Sequence, residues 1–225
     1  TVSSHRLRAV QMLVLCCVLW AVSFPTTRAL AFTQQALVPE ASSWFLAALL
    51  VFYRFGLAAL GMALLSTRTL RHLTRLEVTQ GLGLGLFGGG GILLQVDGLA
   101  HTSASISAFL TQCYCLLIPL WVAVSQRRRP AARIVVGCGL VMLGVAVLAE
   151  VDWRDFHIGR GELETILASV LFAGQILWLE RPQYARNNVN HFSAIMFAVM
   201  AVLCLPVALL TTPQAADWLR AYSTS

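Results

Sequence analysis

Arg54 stands between Tyr53 and Phe55 inside an apolar run, and its chemistry sets the first question about this chain. A guanidinium among hydrocarbon side chains is costly unless it faces a counter-charge, a watery cavity or a charged solute. Asp97, near the end of another apolar run, is the expected partner. At about 1.5 Å per residue the two would be offset by ~7–12 Å along their helices, a gap that arginine bridges only in part. Gln95, His101, Gln112 and Gln175 are further polar groups in or beside apolar runs. Such groups serve as hydrogen bonds between helices or as contacts to a polar solute. A cavity lined by Arg54 would suit anionic or zwitterionic solutes.

Catalysis finds no footing. The sequence has no HExxH, no GxSxG and no set of nucleophile, base and orienting group. It has no lysine, which excludes both a GxxxxGK[ST] phosphate loop and a Schiff base. The six cysteines, Cys16, Cys17, Cys113, Cys115, Cys138 and Cys204, fall inside apolar runs without CxxC or zinc-type spacing. They read as small core residues, so no disulfide, metal or cofactor is expected.

The elements that must position these groups are membrane helices. Of 225 residues, 58% are hydrophobic and 12% charged, against about a quarter charged in soluble domains. Only a bilayer lets so apolar an exterior persist, provided the backbone is satisfied within helices. A span needs about 20 apolar residues, and seven runs of that order occur, at 10–31, 44–65, 78–99, 104–124, 134–149, 163–179 and 192–210. The first is too long for a signal-peptide core and is followed by six more. The fold class is all-α, a polytopic bundle of about seven spans.

Arginines give the orientation. Arg6 and Arg8, then Arg68, Arg71 and Arg75, then Arg127, Arg128, Arg129 and Arg133, then Arg181 and Arg186 fall on one side. The other side has Arg28, Arg154, Arg160 and Arg220, accompanied by Glu150, Asp152, Asp155, Glu162 and Glu164. The positive-inside bias places the N-terminus in the cytoplasm and, with an odd number of spans, Ser225 outside. The net charge of +6 is therefore topological and implies no nucleic acid.

Two helices carry packing signals. In the third run Gly81, Gly85 and Gly89 recur every four residues, with Gly83, Gly88, Gly90 and Gly91 around them. Small residues so spaced let backbones approach closely, and a glycine run also permits bending beside a solute path. Pro119 removes a backbone donor and is expected to kink the fourth span. Trp20, Trp44, Trp121, Trp153, Trp178 and Trp218 lie mostly near span ends, as membrane-belt residues do.

Several of these stretches resemble the EamA-type branch of the drug/metabolite transporter superfamily. Residues 19–24, LWAVSF, look like its first-helix motif, with Arg28 where many members carry a basic residue. Tyr53, Arg54 and Phe55 look like its second-helix arginine. Residues 99–104, LAHTSA, are similar to its junction between helices three and four, with Gly98 replacing the usual first alanine. Pro119, the basic stretch 127–133 and residues 137–145, GCGLVMLGV, complete a five-helix repeat.

The resemblance implies ten helices in two inverted five-helix repeats around a central cavity, with alternating access to it. It implies a first repeat over residues 1–150, and the opening of an inverted second over 151–225. The chain would thus hold one repeat plus two helices, and would be a piece of the full fold. It adds Trp20 and Arg28 to the cavity candidates Arg54, Gln95, Asp97, His101, Gln112 and Gln175. Gly85, Gly89 and Pro119 would serve packing and bending.

The expected activity is secondary transport of small metabolites, amino-acid-like or otherwise polar or amphipathic, in a bacterial cytoplasmic membrane. A coupling ion such as a proton and a homodimer are both compatible with it. A non-transporting subunit or truncated remnant is the rival reading. A seven-helix receptor is disfavoured by the arginine bias, and a retinal protein by the lack of lysine.

Overall fold

The computed structural model describes residues 2–67, 70–127, 129–148 and 158–211. Arg68, Arg128, Glu150, Asp152, Asp155, Trp153, Arg154, Trp218, Arg220 and Ser225, all used above, lie outside the described residues. The described chain forms helices α1 (Val2–Leu37), α2 (Ser43–Leu65), α3 (Arg75–His101), α4 (Ala104–Thr111), α5 (Tyr114–Ser125), α6 (Ala132–Leu148), α7 (Arg160–Leu179) and α8 (Val189–Thr211). Single 3-10 turns occupy Leu70–His72 and Pro182–Tyr184, and no strand occurs among the described residues.

Among the described residues, six stretches are long and apolar enough to cross a bilayer, α4 and α5 together making one, and α6 is a shorter apolar helix. The protein is a polytopic helical bundle of six to seven spans. Large apolar side chains such as Leu13 and Leu19 on α1, Leu57 and Leu64 on α2, and Leu140 and Leu143 on α6 face outward. Lipid, not water, is the solvent that such a surface fits.

Helix starts are fixed by side chains that take up orphan backbone donors. Ser42 Oγ accepts from Phe45 N at 3.1 Å, and Ser103 Oγ from Ile106 N at 3.0 Å. Thr74 and Glu77 form a reciprocal box at the start of α3. The Glu162 carboxylate accepts from Gly159 N at 2.9 Å, so α7 begins three residues before the apolar run expected at 163.

α3 is the axis of the bundle, and its glycines form two faces. Cβ atoms at Gly81, Gly85 and Gly89 would come within 2.7 Å of Ile195, 2.5 Å of Val199 and 3.0 Å of Leu203, all on α8. Those at Gly83, Gly88 and Gly91 would strike Trp178, Gln175 and Phe172 of α7 at 2.3, 2.3 and 2.7 Å. The stripe spaced by four thus seats α8, and the glycines between seat α7. α3 runs as one unbroken helix through all of them. A core of Phe45, Leu49, Val51, Ile92, Val96, Met200 and Cys204 then joins α2, α3 and α8.

The fourth span breaks at Gln112 and Cys113, whereas α5 continues through Pro119. The interruption thus lies before Pro119, the residue expected to bend this span. At the break the bonds tighten, with Cys113 N donating to Leu110 O at 3.1 Å and Cys115 N to Gln112 O at 2.9 Å. The Thr111 hydroxyl donates to Ser107 O at 2.7 Å, a back-bond of the kind that bends helices. Pro119 leaves its mark elsewhere. It denies the Cys115 carbonyl its helical donor, and the Cys138 thiol of α6 donates to that oxygen at 3.2 Å.

A clamp closes the arginine-rich end. Glu77 accepts from Thr74 N at 2.8 Å and Asn188 N at 2.9 Å, and meets His191 Nδ1 at 2.9 Å. Asn187 Nδ2 donates to Gln80 Oε1 at 2.8 Å beside it. The start of α8 is thereby fastened to the start of α3.

Candidate substrate cavity and charged cluster

Three predicted residues meet where α1, α2 and α3 converge. Trp20, Arg54 and Gln95 line a narrow gap together with Ser23, Thr27 and Val96. Arg54 is exposed at this gap, its guanidinium 5.6 Å from the Phe55 ring centroid. Gln95 is buried, and its amide donates to Thr111 Oγ1 of α4 at 2.7 Å, which fixes its orientation. Val96 also lines a larger cavity of about 290 Å³ toward the opposite end from the clamp. That cavity is walled by Phe32, Gln34 and Gln35 of α1, Ser43 and Leu46 of α2, and His101 of α3. Most of its wall is apolar, with a few convergent polar groups, the usual character of a small-molecule site.

Asp97 is not the partner of Arg54. It is wholly buried against α7, where Arg160 Nη2 donates to its Oδ2 at 2.5 Å. Arg160 Nε donates to Glu164 Oε1 at 2.8 Å, and the same guanidinium lies 5.9 Å from the Trp44 ring. His101 Nε2 stands 3.9 Å from Asp97 Oδ2 and 3.2 Å from Ser43 Oγ, between the cluster and the cavity. The Thr102 hydroxyl donates to Glu162 Oε1. The sequence places Arg160 and Glu164 among the charges of the side opposite the arginine-rich loops, at the start of the run 163–179, and not among the cavity candidates. Their i, i+4 spacing was the available signal, since it fits a first helical turn.

The other predicted residues lie apart from the cavity. Arg28 stacks on Phe32 of its own helix at 5.3 Å and lines neither space. Gln112 caps the α4 break. Gln175 Nε2 donates to Leu84 O at 3.2 Å, tying α7 to α3. Gly85 and Gly89 lie on the α8 face of α3.

A helical bundle clad in apolar side chains, with a cavity between its first three helices, defines an integral multi-pass membrane protein. The EamA-like transporter family matches residues 7–149, and the chain belongs to that family. It is a family of membrane transporters, not of enzymes. No curated protein and no solved structure matches the chain.

Proposed function

We propose that this protein works in secondary transport of small polar or amphipathic metabolites, amino-acid-like solutes among them, by alternating access across a bacterial cytoplasmic membrane. The convergence of Trp20, Arg54 and Gln95 from three helices carries this reading. An intramembrane arginine beside an oriented amide offers charge and hydrogen bonds to a carboxylate or zwitterion. Residues 1–150 would form one five-helix repeat and 151–225 the opening of an inverted second. A proton or another solute gradient would drive the cycle.

Flux tests the reading. Purified protein in lipid vesicles should move labelled amino acids or related metabolites, and Arg54→Ala should abolish that movement without loss of membrane insertion. No flux from correctly inserted wild type would overturn the reading. Unchanged flux in Arg54→Ala would remove Arg54 from the site.

A further inference from the structure

Asp97, Glu164 and Arg160 form a cluster whose charges do not balance. One guanidinium serves two carboxylates, at 2.5 and 2.8 Å. The remaining oxygens, Asp97 Oδ1 and Glu164 Oε2, are buried without a hydrogen-bond partner. The two carboxyls are drawn to the same guanidinium, and each keeps one enclosed oxygen that nothing satisfies. Ionised carboxylates only accept, so a bond between them needs a proton.

Among the described residues, the surrounding groups do not supply the missing charge. Glu162, also on α7, already accepts from the Thr102 hydroxyl and Gly159 N. α2 contributes the neutral Ser43 and Trp44, and α4 the neutral Ser107, which meets Thr165 of α7. On α3 the remaining titratable neighbour is His101. Two carboxylates and one guanidinium carry a net charge of about −1, and one proton cancels it where uncompensated charge is costly.

We propose that Asp97 and Glu164 form a proton-binding site that holds one proton on the carboxyl pair, with His101 relaying it from the cavity. This rests on the gradient-driven reading above and assigns its coupling ion. His101 lines the 290 Å³ cavity and is one-third exposed, while Asp97 is fully enclosed. His101 Nε2 lies 3.9 Å from Asp97 Oδ2, a step that a modest turn of the imidazole closes. On entry a cavity hydronium gives its proton to the imidazole, which passes it to the carboxylate. The reverse sequence releases it, and no electrons change hands.

Occupancy of the site acts on one contact. α7 brings Arg160 and Glu164, and α3 brings Asp97. The helices touch there through backbone, since a Cβ at Gly161 would lie 2.8 Å from Gly98 O. Loading or emptying the site therefore strengthens or loosens the α3–α7 junction beside the cavity.

The test needs no substrate. Infrared difference spectra of the full chain in lipid vesicles, taken between acid and alkaline buffer, read the C=O stretch of protonated carboxyls. Wild type should show one titrating band that both Asp97→Asn and Glu164→Gln abolish. His101→Gln should keep that band at equilibrium and slow its appearance after a pH jump by roughly a hundredfold. Absence of the band, or its survival in both carboxyl variants, overturns the site. Loss in only one variant places the proton on a single group and overturns the sharing. An unchanged rate in His101→Gln overturns the relay. Glu164→Gln, whose amide oxygen can still accept from Arg160, carries the test if Asp97→Asn fails to insert. Flux is measured separately, so proton uptake without transport leaves the site standing and fails the transport reading, whereas transport without the band does the reverse.

Discussion

Gly85→Ala probes the packing of α3 most directly. A Cβ there would lie 2.5 Å from Val199 Cβ, 2.7 Å from Val199 Cγ1 and 2.9 Å from the Met196 carbonyl oxygen. Carbon atoms attract best at about 3.5–4.0 Å, so α8 must retreat by roughly 1 Å. Neither neighbour yields easily, because valine is stiff at its branch and the carbonyl belongs to the backbone. Overpacking costs about 1–3 kcal/mol, and rigid partners place this site in the upper half of that range. Alanine also gains about 1 kcal/mol in helix propensity over glycine. Gly139→Ala in α6 removes that second effect, since nothing lies within 4 Å of its Cβ. The two variants should differ by about 2 kcal/mol, roughly thirtyfold in the folding equilibrium, with Gly85→Ala the weaker. Reversible unfolding in mixed micelles titrated with a denaturing detergent, followed by tryptophan fluorescence, measures the difference. Equal stabilities would refute the claim that these glycines serve close approach.

Two further substitutions test other joints. Glu77→Ala removes the acceptor shared by Thr74 N, Asn188 N and His191, and should cost about 3 kcal/mol from a lost cap and an unpaired buried imidazole. Limited proteolysis of the connection between α7 and α8 should accelerate, and Glu77→Gln should lose less than half as much stability. Cys138→Ala should cost under about 1 kcal/mol alone, and less still beside Pro119→Ala, where the restored backbone N–H takes the Cys115 carbonyl. A double-mutant cycle with no coupling would disconnect the thiol from the proline.

Where a feature depends on one helix, the sequence showed it. The run expected at 44–65 became Ser43–Leu65 because Ser42 caps it and continuous apolar residues carry it across. The glycine spacing of four pointed to close packing because that period is a property of a single helix. Features that need two helices stayed hidden. The break at Gln112 depends on Thr111, whose hydroxyl is engaged by Gln95 from α3. Asp97 finds Arg160 across 63 positions of chain, and offset along neighbouring spans could only suggest Arg54. At the gap between α1, α2 and α3, Trp20, Arg54 and Gln95 were each visible as polar or amphipathic groups in apolar runs. Their meeting at one gap, and the exclusion of Arg28 and Gln112 from it, required the crossing of α1 over α3.

The burial of α3 also bears on how the protein is assembled. It is the most enclosed of the spans, whereas α1 meets its neighbours only lightly. Both glycine faces, together with Asp97, wait for helices that ribosomes deliver only after α4, α5 and α6. During synthesis α3 therefore sits in the bilayer, or at the insertion machinery, with its backbone grooves open and its aspartate without its arginine. The clamp at Glu77 and the pair at Asp97 lie at the two ends of that wait, and the arrival of α7 and α8 ends it.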